Sequence, residues 1–236
     1  MQHIIGRLTI FAAAPLILLV IRIIGYRVKQ IETIRRRMAR LMDSHPGPWL
    51  ICANHLTLID SVILLYAMNP VTRYFSRFDL MPWNVPEHMN FNRNAFVKLA
   101  CYITKCIPVK RGGDREGVKS ILEKCAYVLG KGGNLMIFPE GTRSRTGLVN
   151  TNDFPYGTGR LFLKTPGCRV MCIYLRGDRQ DTYSNFPHMK ESFYMATEEC
   201  FPKTNLKGLR AQRECAGQIV RHLSKMENKY FESRGK

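Results

Sequence analysis

A histidine and an aspartate five residues apart are the first pair in this chain whose types and spacing suit chemistry. The stretch Pro48-Trp49-Leu50-Ile51-Cys52-Ala53-Asn54-His55-Leu56-Thr57-Leu58-Ile59-Asp60 passes from an apolar segment through Asn54-His55 to Asp60. In an unbroken helix, side chains five residues apart point about 140° away from one another. The two therefore meet only if a strand ends just before His55 and a helix begins near Asp60. Thr57 suits the N-cap of that helix, which sets Asp60 in its first turn, beneath the turn carrying His55. The helix N-terminus favours an ionised carboxylate, and a carboxylate bonded to one ring nitrogen fixes the tautomer and leaves the other nitrogen as a general base. A pair of this kind also occurs as a satisfied cap without chemistry, and the pair alone leaves both readings open.

A second polar turn lies far along the chain. The run Asn134-Leu135-Met136-Ile137-Phe138 delivers Pro139-Glu140-Gly141-Thr142-Arg143-Ser144-Arg145, and Ile107-Pro108-Val109-Lys110 leads in the same way to Arg111. Ligands of open α/β sheets gather at the carboxyl ends of the strands, where His55, Arg111 and Glu140 to Arg145 would all lie. Arg111, Arg143 and Arg145 together suit a bidentate grip on a phosphate, although a single arginine is more often a solvated surface charge.

The elements that must position these groups follow from the alternation of apolar runs. Strands are predicted at 49–53, 72–76, 106–110, 134–138 and 169–175, with helices near 59–68, 95–104, 115–129 and 158–164 between and after them and a long helix at about 208–230. The helix at 115–129 has Val118, Ile121, Leu122, Cys125 and Val128 on one face and Gly130 after its end. This alternation predicts an α/β fold, a single domain with a largely parallel central sheet flanked by helices. Pro46-Gly47-Pro48 punctuates its start. Before it, residues 8–25 form an apolar run interrupted by Pro15 and Arg22, barely long enough to span a bilayer. Its basic start is thin and no small-residue cleavage site follows, which argues against a cleaved signal peptide. Arg27, Lys29, Arg35, Arg36, Arg37 and Arg40 come next, a cluster suited to an anionic cytoplasmic membrane face. Residues 1–40 are thus expected to form a membrane-anchoring helical segment, spanning or half-inserted, and 41–236 the globular domain. A buried core helix is the alternative for the apolar run.

At 236 residues and 45% hydrophobic composition the chain can bury one good core. Its formal charge of +18 calls for a polyanionic partner: anionic lipid, nucleic acid or an acidic carrier protein. Nucleic acid is disfavoured, because the arginines are scattered and neither an aromatic-rich recognition block nor a zinc motif accompanies them. The eight cysteines mostly fall in apolar stretches, with no Cys-x-x-Cys pair and no histidine at ligand spacing, and read as reduced cytoplasmic thiols. Neither a metal nor a cofactor is expected.

Taken together, these motifs resemble the glycerolipid acyltransferases of the 1-acylglycerol-3-phosphate acyltransferase type. Asn54 to Asp60 matches the family's Asn-His-x-x-x-x-Asp block. Phe138-Pro139-Glu140-Gly141-Thr142-Arg143-Ser144 matches its Phe-Pro-Glu-Gly-Thr-Arg-Ser block in full. Ile107 to Arg111 is similar to the intermediate block ending in a substrate-binding arginine, and Ser76-Arg77-Phe78-Asp79-Leu80 to the preceding segment, with Arg77 in the basic place. Two positions depart from the pattern. Tyr156-Gly157-Thr158-Gly159 lacks the lysine of the usual Phe-Lys-x-Gly, and Val170-Met171-Cys172-Ile173-Tyr174-Leu175 lacks the proline of the usual Val-Pro-Val.

The resemblance implies a membrane-bound O-acyltransferase that moves a fatty acyl group from acyl-CoA or an acyl-carrier protein to the hydroxyl of a lysophospholipid. His55 would be the general base and Asp60 its orienter, with the acceptor's own hydroxyl as nucleophile. Arg77, Arg111, Glu140, Gly141, Thr142 and Arg143 would bind substrate, and the Gly141 backbone would lie close enough to help an oxyanion. The expected location is the cytoplasmic face of the inner membrane, bound to its anionic surface. The missing lysine leaves a second acceptor open, a lyso-aminolipid or a specialised lipid-like product. A non-catalytic membrane-surface protein on this scaffold is the alternative outside enzymes.

Overall fold

The computed structural model describes residues 2–88, 95–109 and 115–235. Its centre is a six-stranded sheet of order β1-β6-β5-β2-β4-β3. The strands are β1 (Arg27–Val28), β2 (Trp49–Ala53), β3 (Trp83–Asn84), β4 (Leu135–Ile137), β5 (Arg169–Gly177) and β6 (Ser192–Cys200). Neighbours run parallel except β5 and β6, which pair antiparallel from Val170–Cys200 to Gly177–Phe193. The sheet is thus largely parallel, as the sequence predicts, with one antiparallel pair.

Strand β2 shows why the inner strands read as continuous apolar runs. Trp49, Ile51 and Ala53 enter one hydrophobic cluster, while Leu50 and Cys52 enter the other. A strand buried on both faces has no polar side to alternate with. The first cluster is covered by helices α1 (Gln2–Ile24), α2 (Ile31–Ser44), α3 (Asp60–Met68) and α4 (Val71–Ser76). The second is covered by α6 (Arg115–Gly130), α7 (Gly157–Lys164) and α8 (Gly208–Glu232), and α5 (Ala95–Ile103) packs beside α1. Helices α2 and α8 cover the clusters with an apolar stripe at helical spacing, whereas α1 and α3 are apolar nearly all round. In α8 the stripe is Cys215, Ile219, Val220, Leu223, Met226 and Tyr230, all buried. In α2 it is Ile34, Met38 and Met42, set against the outward basic face of Arg36, Arg37 and Arg40. Helix α2 runs without a break through residue 40, and both α1 and α2 supply side chains to the first cluster.

The structure corrects several expected elements. Residues 72–76, read as a strand for their β-branched and aromatic content, lie in helix α4. Pro70, fixed at φ −64°, introduces it, and only Tyr74 is buried, its hydroxyl donating to Leu65 O at 2.9 Å. A single buried position per turn suits a helix lying on a core better than a strand within one. At 106–110 no strand forms among the described residues: Cys106 and Val109 make isolated bridges to Asn84 and Glu87, and Pro108 between them has no N–H to donate. Lys110 lies outside the described residues. Strand β6 was not anticipated, although its side chains alternate between the two clusters, Phe193 and Met195 on one face and Tyr194 and Ala196 on the other. The two-residue strands β1 and β3 carry no periodicity to read. All eight cysteines are free, and the described residues include no group arranged to hold a metal ion.

Candidate active site

Strand β2 ends at Ala53, and Asn54 continues its pairing with β5 by backbone and side chain together, its N–H donating to Ile173 O at 3.4 Å. The Asn54 amide donates to Leu175 O at 3.0 Å, and its carbonyl accepts from Leu175 N at 2.8 Å. The chain then turns away with His55 at the carboxyl end of β2, outside any helix. Asp60 begins α3, and its Oδ2 lies 3.0 Å from His55 Nδ1. The same oxygen accepts the backbone N–H groups of Leu56 at 2.7 Å and Thr57 at 2.8 Å, while Oδ1 accepts the Thr57 hydroxyl. Thr57 therefore does not act as the expected N-cap, since its hydroxyl donates to the carboxylate and does not accept a helix N–H. Half of a capping box survives, the half in which a first-turn carboxylate reaches back to a backbone N–H. In the tautomer that donates from Nδ1 to Asp60, the neutral imidazole carries its lone pair on Nε2.

The second turn holds the first from the other side. The Phe138 ring stacks on the His55 imidazole, with centroids 4.0 Å apart and planes 16° apart. Glu140 Oε1 accepts the His55 backbone N–H at 3.1 Å, and Oε2 accepts Asn150 N at 3.1 Å. Ser144 N donates to His55 O at 2.9 Å. His55 thus has its ring, its N–H and its carbonyl each fixed by a different residue. Burial pushes the Glu140 carboxyl up to about 7, against the two backbone N–H bonds that favour its ionised form. Gly141 takes φ 73°, and a Cβ there would meet Pro155 Cγ at 2.7 Å, so the turn accepts only glycine. The Gly141 N–H donates to Phe138 O at 3.0 Å. It is spent on closing the turn, which removes it as the expected oxyanion donor in this conformation.

Arg143 points toward the loop between β5 and β6. Its Nη1 donates to Ser184 O and to Asn185 Oδ1, both at 2.9 Å, and its guanidinium sits 5.4 Å from the centre of the Tyr183 ring. That loop is bonded to the histidine turn as well, through Ser184 N to Leu56 O at 3.0 Å and Leu58 N to Asn185 O at 3.1 Å. The structure therefore brings His55, Asp60, Glu140, Gly141 and Arg143 together, with Thr142 exposed at the tip of the turn. Arg77 is not among them. It pairs with Asp79, whose carbonyl accepts from Asn134, the residue that also caps the amino end of β2 through Trp49 N. Arg77 thus lies toward the amino ends of the strands, away from His55. Arg111 lies outside the described residues, and Arg145 is exposed.

Sequence reasoning missed a buried support behind the site. Glu227 of α8 accepts Val149 N at 2.9 Å and the Tyr174 hydroxyl at 3.2 Å. Arg176 approaches it to 3.9 Å and donates to Gly147 O and Asp181 O. Burial raises the Glu227 carboxyl above its ordinary range. Residues 147–150 are thereby pinned to α8, and Asn150 passes the constraint to Glu140 and so to His55. The signals were present: Arg176 closes an otherwise apolar strand, and Glu227 stands in the apolar stripe of a helix. A charge in a buried stripe marks a partnered group.

The family model for Acyltransferase matches residues 25–204, a span that contains both turns. Among solved structures, the chain is similar to the crystal structure of the 1-acyl-sn-glycerophosphate (LPA) acyltransferase, PlsC, from Thermotoga maritima. The TM-score is 0.52 at 16% identity, over 86% of this chain and 72% of that one, and the likeness is one of fold. No curated protein matches the chain. With the family match running from β1 through β6 and around the histidine turn, the chain belongs to the acyltransferase family and is an acyltransferase.

Proposed function

We propose that the chain transfers a fatty acyl group from an acyl thioester, carried on CoA or on a carrier protein, to the hydroxyl of a lysophospholipid. A lysophosphatidate-type acceptor is the first candidate, in keeping with the substrate named for the structurally similar Thermotoga enzyme. The observation that carries the reading is the 3.0 Å contact of Asp60 with His55 Nδ1, which leaves Nε2 to take a proton. The acceptor hydroxyl gives its proton to Nε2 as its oxygen attacks the thioester carbonyl. The tetrahedral adduct then collapses, the carbon–sulfur bond breaks, and the departing thiolate takes the proton from Nε2. The products are the acylated lipid and a free thiol. Asp60 stabilises the imidazolium throughout. Arg143 uses two of its five N–H groups on the 184–185 loop, which leaves three for an anionic headgroup.

Helix α1 supports a membrane location. Its buried side is Gly6, Ile10, Ala14 and Ile21, whereas Leu8, Phe11, Leu19 and Ile23 face outward, Ile23 being 72% exposed. A helix packed along the domain in this way lies half-inserted in a bilayer surface, with the basic face of α2 toward anionic headgroups on the cytoplasmic side. The test is release of free thiol from an acyl thioester with lysophosphatidate and, in parallel, a lyso-aminolipid as acceptor. Thiol release by the wild type but not by His55→Ala supports the mechanism. Faster turnover of the aminolipid would replace the acceptor.

A further inference from the structure

Phe186 and Met189 are left 60% and 68% exposed on the loop between β5 and β6. An apolar side chain on a mobile loop can fold back onto the protein, but this loop is tied down. Tyr26 donates its hydroxyl to Pro187 O at 3.1 Å, Lys190 N donates to Ile24 O at 2.9 Å, and Arg27 N donates to Glu191 O at 3.0 Å. Arg179 Nη2 donates to Met189 O at 2.6 Å and Ser184 Oγ to Phe186 O at 2.9 Å. The loop therefore rides on the carboxyl end of α1, where Leu19, Val20 and Ile23 are also exposed. Its other side carries Ser184 and Asn185, which bond the histidine turn. One rigid loop thus joins the end of the apolar helix to the reacting turn.

Scattered exposed hydrophobic residues need no explanation, but Phe186 and Met189 extend an apolar face that α1 has already begun. The neighbouring His188, Lys190, Arg22 and Arg27 are exposed as well, giving this apolar edge a basic rim. An apolar edge with a basic rim is the pattern of an element that enters an anionic bilayer to the depth of the acyl chains and keeps its charges at the headgroups. We propose that Phe186 and Met189 form a second membrane contact, entering the bilayer beside the end of α1 and turning the His55 site toward acceptor lipids in the same leaflet. The inference rests on the reading that α1 lies in the membrane surface. An in-plane helix and the long-range attraction of the α2 basic face set the roll of the domain only loosely; an inserted apolar contact beside the site fixes that angle.

The experiment uses the full chain with vesicles of phosphatidylcholine and phosphatidylglycerol whose acyl chains carry bromine, and Phe186→Trp as the depth reporter. Trp49 is buried and Trp83 half-buried, so the wild type supplies the background. On vesicles the emission of the new tryptophan should shift to the blue, be quenched by the bromine and become shielded from aqueous iodide. If the variant sediments with vesicles while this residue stays open to iodide and unquenched by bromine, the inference fails and the reading of α1 stands. If the wild type does not bind the vesicles at all, both fail. A second variant, Phe186→Ser with Met189→Ser, should still sediment through α1, but partition about tenfold less strongly. It should lose activity toward acceptor held in vesicles and keep it toward a short-chain acceptor dissolved in water. Equal loss toward both acceptors would show that the loop merely supports the histidine turn, and would overturn the proposal.

Discussion

The histidine turn and helix α1 place their side chains against opposite rules. Around the turn, charged groups are buried: Asp60, Glu140, Glu227 and Arg176 are each 5% exposed or less. All four find their partners within the chain. Along α1, large apolar side chains stand in water, and the chain covers only one side of the helix. The difference separates what the protein completes by folding from what, on the proposed membrane reading, an outside phase completes. Changes at the turn should alter chemistry and stability, whereas changes on the outer face of α1 should alter only where the protein resides.

The largest effect is expected at His55, the proposed proton acceptor. His55→Ala should lower thiol release by about 10²- to 10⁴-fold, the range of general-base catalysis, and should lower the thermal midpoint modestly, because the stack on Phe138 and the Asp60 contact go with the ring. Activity within tenfold of wild type would break the contrast at its centre. Asp60→Asn should act on both scales. The amide oxygen can take the place of Oδ2, but the negative charge that strengthens its three bonds is lost and an NH2 replaces the acceptor of the Thr57 hydroxyl, so activity falls and stability drops by about 1–3 kcal/mol in urea titration.

Arg143→Lys comes next. It keeps the charge but not the planar guanidinium, whose Nη1 holds Ser184 O and Asn185 Oδ1 while its other N–H groups remain for a headgroup, so kcat/KM for an anionic acceptor should fall by the equivalent of about 1.5–3 kcal/mol. A two-substrate kinetic series checks this. A raised thioester KM with an unchanged acceptor term would place Arg143 on the donor side.

Glu140→Gln sharpens the comparison through pH. A glutamate in the unfolded chain releases its proton near 4.5, while burial holds the folded Glu140 to about 7. The folded state therefore binds the extra proton between those values, and its contribution to stability is full below the lower one and lost as pH rises through the upper one. Urea midpoints measured across this window should fall less steeply with pH for Glu140→Gln than for wild type. Some slope should remain, because burial raises Glu227 in the same direction. An unchanged slope would mean that Glu140 already ionises at its ordinary value.

The smallest effect on stability, with a large effect on location, is expected from α1. Leu8→Ser with Ile23→Ser removes exposed side chains, so the urea midpoint should shift by no more than about 0.5 kcal/mol per site. Vesicle sedimentation should drop sharply. A large loss of stability would mean that these side chains are buried against protein in solution, and that the two regions follow the same rule after all.

The sequence determined what short-range physics encodes. Strands β2, β4 and β5 were legible as apolar runs, α6 as a stripe at helical spacing and α8 as a long closing helix. His55 and Asp60 were legible because a turn between a strand and a helix is the one local arrangement in which residues five apart meet. Tertiary structure decided how those pieces are held. Asn54 reaches Leu175 across 121 positions, and Val149 reaches Glu227 across 78. No periodicity within a window of a dozen residues carries either pairing. The sequence placed Arg77 and Arg143 alike in basic positions, yet only the fold sends one toward the amino ends of the strands and the other to the histidine turn. The same separation hid the position of the 178–191 loop, whose polar and turn-forming residues carry no periodicity. Its position between the end of α1 and the histidine turn exists only once β5 and β6 pair, because backbone hydrogen bonds between distant strands, not local propensity, fix where such a loop comes to rest.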